Sequence, residues 1–106
     1  MSTLCSCPTL SHITVSADYG ADPIWCAVCH SNLDITEFSI TDPLDYELFR
    51  WTNRYGEWLD FETNQVIPGG HTLETKHNEE GIFLTKRLQN ELPHYQFTFI
   101  PSQETK

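Results

Sequence analysis

The sequence predicts an α+β fold, in which a cysteine-flanked β-hairpin leads into a small antiparallel sheet covered by two helices. Three observations support this prediction: stretches that alternate between polar and apolar residues, two segments with apolar residues at helical spacing, and four cysteines in two close pairs. At 106 residues the chain has the length of a single domain, with residues 1–35 as the hairpin portion and residues 42–106 as a helix-helix-strand portion.

The hairpin is the first predicted element. Residues 12–17 alternate, with Ile13 and Val15 on the apolar side, which is the period-two pattern of a half-buried strand. The segment DYGADP at residues 18–23 has the residue types of a turn, and residues 24–26 then return as the second strand.

The first helix is predicted to begin at Asp42-Pro43, where an aspartate can cap free amides and a proline loses no hydrogen bond. An apolar stripe with spacings of four, three, four and three residues then extends the helix to about Asp60. The stripe consists of Leu44, Leu48, Trp51, Tyr55 and Trp58. Aromatic side chains at this spacing could form a ligand platform, but we interpret them as core because a small domain needs the buried area.

The second helix and the last strand complete the pattern. Residues 64–72, NQVIPGGHT, are predicted to form a loop. A helix is expected from about Thr75 to the residue before Pro93, and its buried face carries Gly81, Leu84, Leu88 and Leu92. Residues 94–100, HYQFTFI, alternate as a closing strand.

Four polar residues outside the cysteine pairs are candidate site residues. Asp18 and Asp22 flank the hairpin tip and could form a metal-binding or catalytic pair, yet acidic residues are common in turns because they hydrogen-bond locally, and we favour that role. His71 and His77 flank the start of the second helix with no cysteine nearby. We expect both histidines to be surface residues.

The stretch WCAVCH, residues 25–30, is compatible with three kinds of chemistry. Cys-x-x-Cys-His is a haem-attachment pattern, but haem attachment requires export, and the sequence shows no export signal and no methionine beyond Met1. Trp-Cys-x-x-Cys resembles a thioredoxin active site, in which a helix N-terminus stabilises the thiolate. Here residues 30–38 carry no helical stripe, so no helix is predicted to stabilise a thiolate. A thiol oxidoreductase using Cys26 and Cys29 is therefore kept only as a further alternative.

A zinc site accounts for all the cysteines at once. Cys5-x-Cys7 and Cys26-x-x-Cys29 are two close pairs joined by the hairpin, the layout of a four-cysteine structural zinc site. The one-residue spacing of the first pair is less usual, and His12 or His30 could replace a cysteine. We therefore expect a structural Zn²⁺ ion bound by these four residues, with no open coordination position for catalysis.

Residues 5–29 resemble a zinc ribbon on the strength of these pairs. The rest of the chain, including DYGADPIW and EGIFLTKRLQNEL, is similar to small uncharacterised bacterial proteins. The resemblance implies metal binding and a bacterial source, and it implies no particular activity.

Charge is distributed unevenly along the chain. Seven acidic and no basic residues precede Arg50, whereas six basic and eight acidic residues follow from it, which gives the formal net charge of -9. Nucleic-acid binding depends on basic residues that release counterions, so the N-terminal half is unsuited to phosphate.

The sequence thus predicts a small acidic zinc-binding protein without catalytic residues that acts by binding another protein, as a regulatory or inhibitory adaptor. Its acidic half would attract a basic partner. An alternative is a nucleic-acid-associated zinc ribbon accessory protein. Because no signal peptide or membrane span is evident, we expect a cytoplasmic location and no membrane partner.

Overall fold

The computed structural model describes residues 10–103 and confirms the α+β class. The elements in chain order are β1 (His12–Val15), β2 (Ile24–Cys26), a 3-10 turn (Ile35–Glu37), α1 (Asp42–Asn53), β3 (Leu59–Asp60), β4 (Gln65–Val66), α2 (Gly70–Glu91) and β5 (Gln96–Phe99). None of the helices in the described part of the chain has the length and apolarity that a membrane crossing requires.

The main sheet has three strands in the order β2-β1-β5. The predicted hairpin is present, with β1 antiparallel to β2 and Ile13 opposite Cys26. The expectation of a wholly antiparallel sheet is corrected, because β5 runs parallel to β1 with Ile13 opposite Phe97. The connection between β1 and β5 contains both helices, and a crossover of this kind is what brings a strand back in the same direction.

Helix α1 begins where the sequence predicts and ends seven residues earlier, at Asn53 instead of Asp60. Gly56 then adopts φ +87°, a left-handed conformation that turns the chain out of the helix. Trp58 lies beyond this turn, yet it is fully buried. The prediction that Trp58 is buried is therefore confirmed. The residue is not part of α1, however, and it enters the core from the segment that leads into β3.

Helix α2 begins at Gly70, about one turn before the predicted start at Thr75. The predicted loop is in part a second hairpin, because β4 pairs with β3, and left-handed Gly69 leads directly into the helix. Gly70 permits close packing there, since a Cβ atom at this position would lie 2.7 Å from the carbonyl oxygen of Trp58. The additional turn brings Glu74 onto the buried face, where His77 also lies.

The core lies between the sheet and the two helices. Ile13 and Val15 are fully buried, which confirms the predicted inner side of β1. Trp51 is fully buried as well, and Tyr55 packs half-buried against the same cluster, so their interpretation as core is confirmed. Gly81 faces the same region, where the Phe99 ring and Trp51 leave no room for a side chain.

Gly81→Ala is expected to destabilise the fold. Its Cβ would overlap the Phe99 ring and approach Cζ2 of Trp51 to 2.8 Å. Overpacking of this kind costs about 1–3 kcal/mol, which exceeds the ~1 kcal/mol that alanine gains in a helix. Urea denaturation measures the difference, with Asn90→Ala at an exposed position of α2 as the control. An unchanged or higher urea midpoint for Gly81→Ala would contradict this packing.

Candidate functional site

The two described cysteines lie where the second strand ends. Cys26 is the last residue of β2 and is buried, whereas Cys29 lies in the turn that follows and is half-buried, with its Sγ 3.2 Å from Oγ of Ser31. The chain turns sharply here, because the His30 amide donates to the Cys26 carbonyl oxygen at 2.9 Å and His30 has a left-handed φ of 64°. A turn, not a helix N-terminus, therefore follows the Cys26–Cys29 pair.

The other half of the predicted zinc site, Cys5 and Cys7, lies outside the described residues. Of the two possible replacement ligands, His12 is half-buried in β1 and His30 is exposed. Within residues 10–103, no three His, Cys, Asp or Glu side chains form a group that could hold a metal ion.

The hairpin tip is held by its acidic residues, as predicted. Asp18 accepts a hydrogen bond from the Tyr19 amide at 2.8 Å through Oδ1. Asp22 accepts one from the Ile35 amide at 2.9 Å through Oδ2, and this bond ties the tip to the 3-10 turn. Asp18 therefore has the local backbone role that is typical of turn residues, whereas Asp22 supports the tip through a bond to a more distant segment.

Tyr19 links the hairpin tip to the segment after α1. Its ring packs edge-on against Tyr55, with ring centroids 4.7 Å apart, and against Phe61, at 5.8 Å. The ring also covers Gly56, where a Cβ atom would lie 2.8 Å from Cζ of Tyr19. The sequence does not predict this contact, because nothing in the spacing of residues 19, 55 and 61 indicates that they meet.

These contacts create one exposed surface from three segments. Tyr19 is 52% exposed and Phe61 is 67% exposed. On the other side of the hairpin tip, a groove of about 230 Å³ is lined by Asp18, Asp22 and Phe49, the last 62% exposed. We call this surface the aromatic–acidic face. It comprises Asp18, Tyr19, Asp22, Phe49, Asp60, Phe61 and Glu62.

Three of the basic residues lie around a different surface. A groove of about 460 Å³ between α1 and α2 is lined by Arg50, Arg54 and Lys76 together with Glu47 and Glu80. Here the charges are compensated, because Arg54 pairs with Glu80 at 2.7 Å and Arg87 pairs with Glu47 at 3.0 Å. Among the described residues, no acidic side chain of the aromatic–acidic face forms an ion pair.

His77 is a buried titratable group that the sequence assigned wrongly to the surface. It is 3% exposed, and its imidazole stacks on the Trp51 indole with ring centroids 4.4 Å apart. Its Nδ1 atom has no hydrogen-bond partner among the described residues. Burial lowers the pKa of His77 from 6.5 to about 4, although the nearby Glu80 carboxylate opposes the shift. His71, by contrast, is exposed as predicted.

The described residues thus present exposed aromatic side chains beside acidic side chains that form no ion pair within residues 10–103. A family model described as Serratia CdiI immunity protein-like matches residues 11–102, and the chain belongs to this family. A comparison with curated proteins gave no match. The family match confirms the predicted likeness to small bacterial proteins, but it lends no support to a zinc ribbon, and it begins after Cys5 and Cys7.

The burial of His77 predicts a stability that falls in mild acid. The folded-state pKa of about 4 lies below the ordinary value of 6.5, so the unfolded chain binds the proton more readily between these values. The neutral imidazole's contribution is complete above pH 6.5 and is lost as the pH falls toward 4. A shift of this size corresponds to about 3 kcal/mol in the free energy of unfolding.

Denaturant titrations between pH 4 and 7 measure this slope. His77→Phe retains an aromatic ring against Trp51 and removes the titration, so its stability should change less with pH than that of the wild type. His94→Phe, at an exposed position, serves as the control and should keep the wild-type slope. Equal slopes for wild type and His77→Phe would show that His77 does not govern the pH dependence.

Proposed function

We propose that this chain is an immunity protein that binds a partner toxin and holds it inactive. The observation that carries the proposal is the family match, which spans residues 11–102 and so includes every helix and strand from β1 to β5. The likeness therefore extends over the whole fold and is not limited to one motif. Binding alone is sufficient for such a role, since a tightly bound protein can cover the working surface of a toxin.

The charge of the chain supports a basic toxin as the partner. The formal net charge is -9, and the acidic N-terminal half carries seven acids before the first basic residue, Arg50. Opposite charge on two proteins raises the rate of encounter and disfavours partners of like charge. A toxin that acts on an acidic substrate would itself have a basic surface, and an acidic inhibitor is suited to cover it.

The size of the domain constrains how it could bind. A specific interface takes about 800 Å² from each partner, which is roughly an eighth of the 6634 Å² accessible surface. The groove between α1 and α2 and the groove beside the hairpin tip each offer far less surface than this area. The toxin would therefore contact a broad face made of several segments.

Co-expression tests the proposal directly. A candidate toxin, taken as the product of the gene next to this chain's gene, is expressed from an inducible promoter in a sensitive bacterial host, with or without the chain. Growth should be restored only when the chain is present, and the two purified proteins should form a stoichiometric complex by native mass spectrometry. A toxin from an unrelated pair serves as the control. Continued growth arrest, with no complex between soluble folded proteins, would contradict the proposal.

We also propose that Cys26 and Cys29 form half of a structural zinc site completed by Cys5 and Cys7. The sharp turn after Cys26 supports it, because two thiolates separated by two residues must converge on one ion. The pairing of the strands also supports it. The Ala27 amide donates to the His12 carbonyl oxygen at 3.0 Å, so the start of β1 lies beside this turn. Cys7 precedes His12 by five residues, a span of at most about 18 Å.

Native mass spectrometry of anaerobically purified protein should show one zinc ion per chain. Cys5→Ser and Cys29→Ser should each remove the metal and lower the thermal midpoint, because binding to the native site stabilises the fold. Ser31→Ala, which leaves all four thiols in place, is the matched control and should retain zinc. Metal-free wild-type protein whose thermal midpoint does not respond to added Zn²⁺ would contradict the site.

A further inference from the structure

We infer that the aromatic–acidic face is the surface that docks onto the toxin. The matching surface of the toxin would carry basic side chains with apolar patches between them. This inference rests on the proposed function and adds the location of the interface. The face contains Tyr19 and Phe61 in mutual contact, with Phe49 on the far side of the hairpin tip.

The aromatic residues supply the contact area. Phe61 and Phe49 expose 67% and 62% of their surface, and Tyr19 exposes 52%. Large aromatic side chains dominate the binding energy of protein interfaces when they become fully buried in a partner. Tyr19 and Phe61 on one side of the hairpin tip and Phe49 on the other give a partner several anchor positions.

The face is also held in shape before any partner binds. Tyr19 lies against Gly56 and between Tyr55 and Phe61, so the hairpin tip cannot swing away without breaking these contacts. Asp22 fixes the other side of the tip through the Ile35 amide. A surface that is already ordered loses less conformational entropy on binding, which favours high affinity.

The charges determine which partner fits. Asp60 and Glu62 flank Phe61, and Asp18 and Asp22 line the groove beside Phe49. None of these four carboxylates is neutralised by an ion pair within residues 10–103. An acidic partner would be repelled here, whereas Lys and Arg side chains could place their stems on the aromatic rings and their charged ends at the carboxylates.

The groove between α1 and α2 is the competing surface, and its chemistry is less suited to this role. The exposed ring of Tyr46, which lines this groove, already lies beneath the guanidinium group of Arg50 at 5.7 Å. On α2, the exposed ring of Phe83 lies beneath the guanidinium group of Arg87 at 5.8 Å. Arg87 is also paired with Glu47. A partner at this groove would have to replace contacts that the chain makes with itself.

Binding of the co-expressed toxin, measured by surface plasmon resonance with both proteins purified, tests the location. Phe61→Ala should raise Kd about 10- to 100-fold, the range expected when an aromatic anchor is removed. Phe83→Ala is the matched control, since Phe83 is 57% exposed on α2, outside the aromatic–acidic face, and its Kd should stay within about twofold of the wild type. Circular dichroism and the thermal midpoint establish that each variant is folded.

Charge reversal supplies the second measurement. Glu62→Lys should lower the association rate constant about fivefold or more at low salt, and the difference should shrink at 0.5 M salt, where the attraction is screened. Glu79→Lys makes the same change of charge at an exposed position of α2 and should have a much smaller effect.

The outcomes separate the two proposals. If the wild-type chain binds and neutralises the toxin but Phe83→Ala weakens binding while Phe61→Ala does not, the interface lies on the exposed side of α2 around Phe83 and this inference is wrong. Wild-type affinity for both Phe61→Ala and Glu62→Lys also overturns it. A wild-type chain that neither binds nor neutralises the toxin overturns the immunity function itself.

Discussion

The contact between Trp51 and His77 holds the fold together. The Trp51 indole stacks on the His77 imidazole and donates from Nε1 to the His77 carbonyl oxygen at 2.9 Å, so a ring contact and a hydrogen bond join α1 to α2 at one point. Phe99 of β5 packs against the same indole, with centroids 6.1 Å apart. The Trp51 side chain thus connects both helices to the sheet. Gly81 is required beside it, because a side chain at this position would overlap the Phe99 and Trp51 rings.

The candidate binding face depends on that arrangement. Once α1 and α2 are fixed, the chain between them must turn back within the 16 residues from Arg54 to Gly69, and it does so through Gly56 and the β3–β4 hairpin. This hairpin presents Phe61 toward the tip of the other hairpin, where Tyr19 completes the contact. Residues far apart in sequence therefore form one surface because the core sets the positions of the two hairpins.

Periodic apolar patterns predicted β1 and α1, whereas features that depend on contacts between distant segments were missed. The alternation around Ile13 and the helical spacing from Leu44 to Trp51 identified β1 and α1 because burial imposes these periods. The parallel direction of β5 and the contact between Tyr19 and Phe61 are set by tertiary structure. Neither produces a periodic pattern in the local sequence. His77 was misplaced for a different reason. The helical spacing of Gly81, Leu84 and Leu88 continues back to position 77, but a histidine in the first turn of the predicted helix was expected to face solvent.

The two ends of the first hairpin would have separate roles, one in partner binding and one in metal binding. Its tip, from Asp18 to Asp22, belongs to the aromatic–acidic face, whereas the Cys26–Cys29 turn lies at the other end of β2. A metal bound at that turn would be about three strand residues from the tip, roughly 10 Å along β2, and it would stabilise the hairpin that carries the tip. Loss of zinc should therefore act on binding through the fold, in contrast to Phe61, whose exposed ring can be removed while the core around Trp51 remains intact.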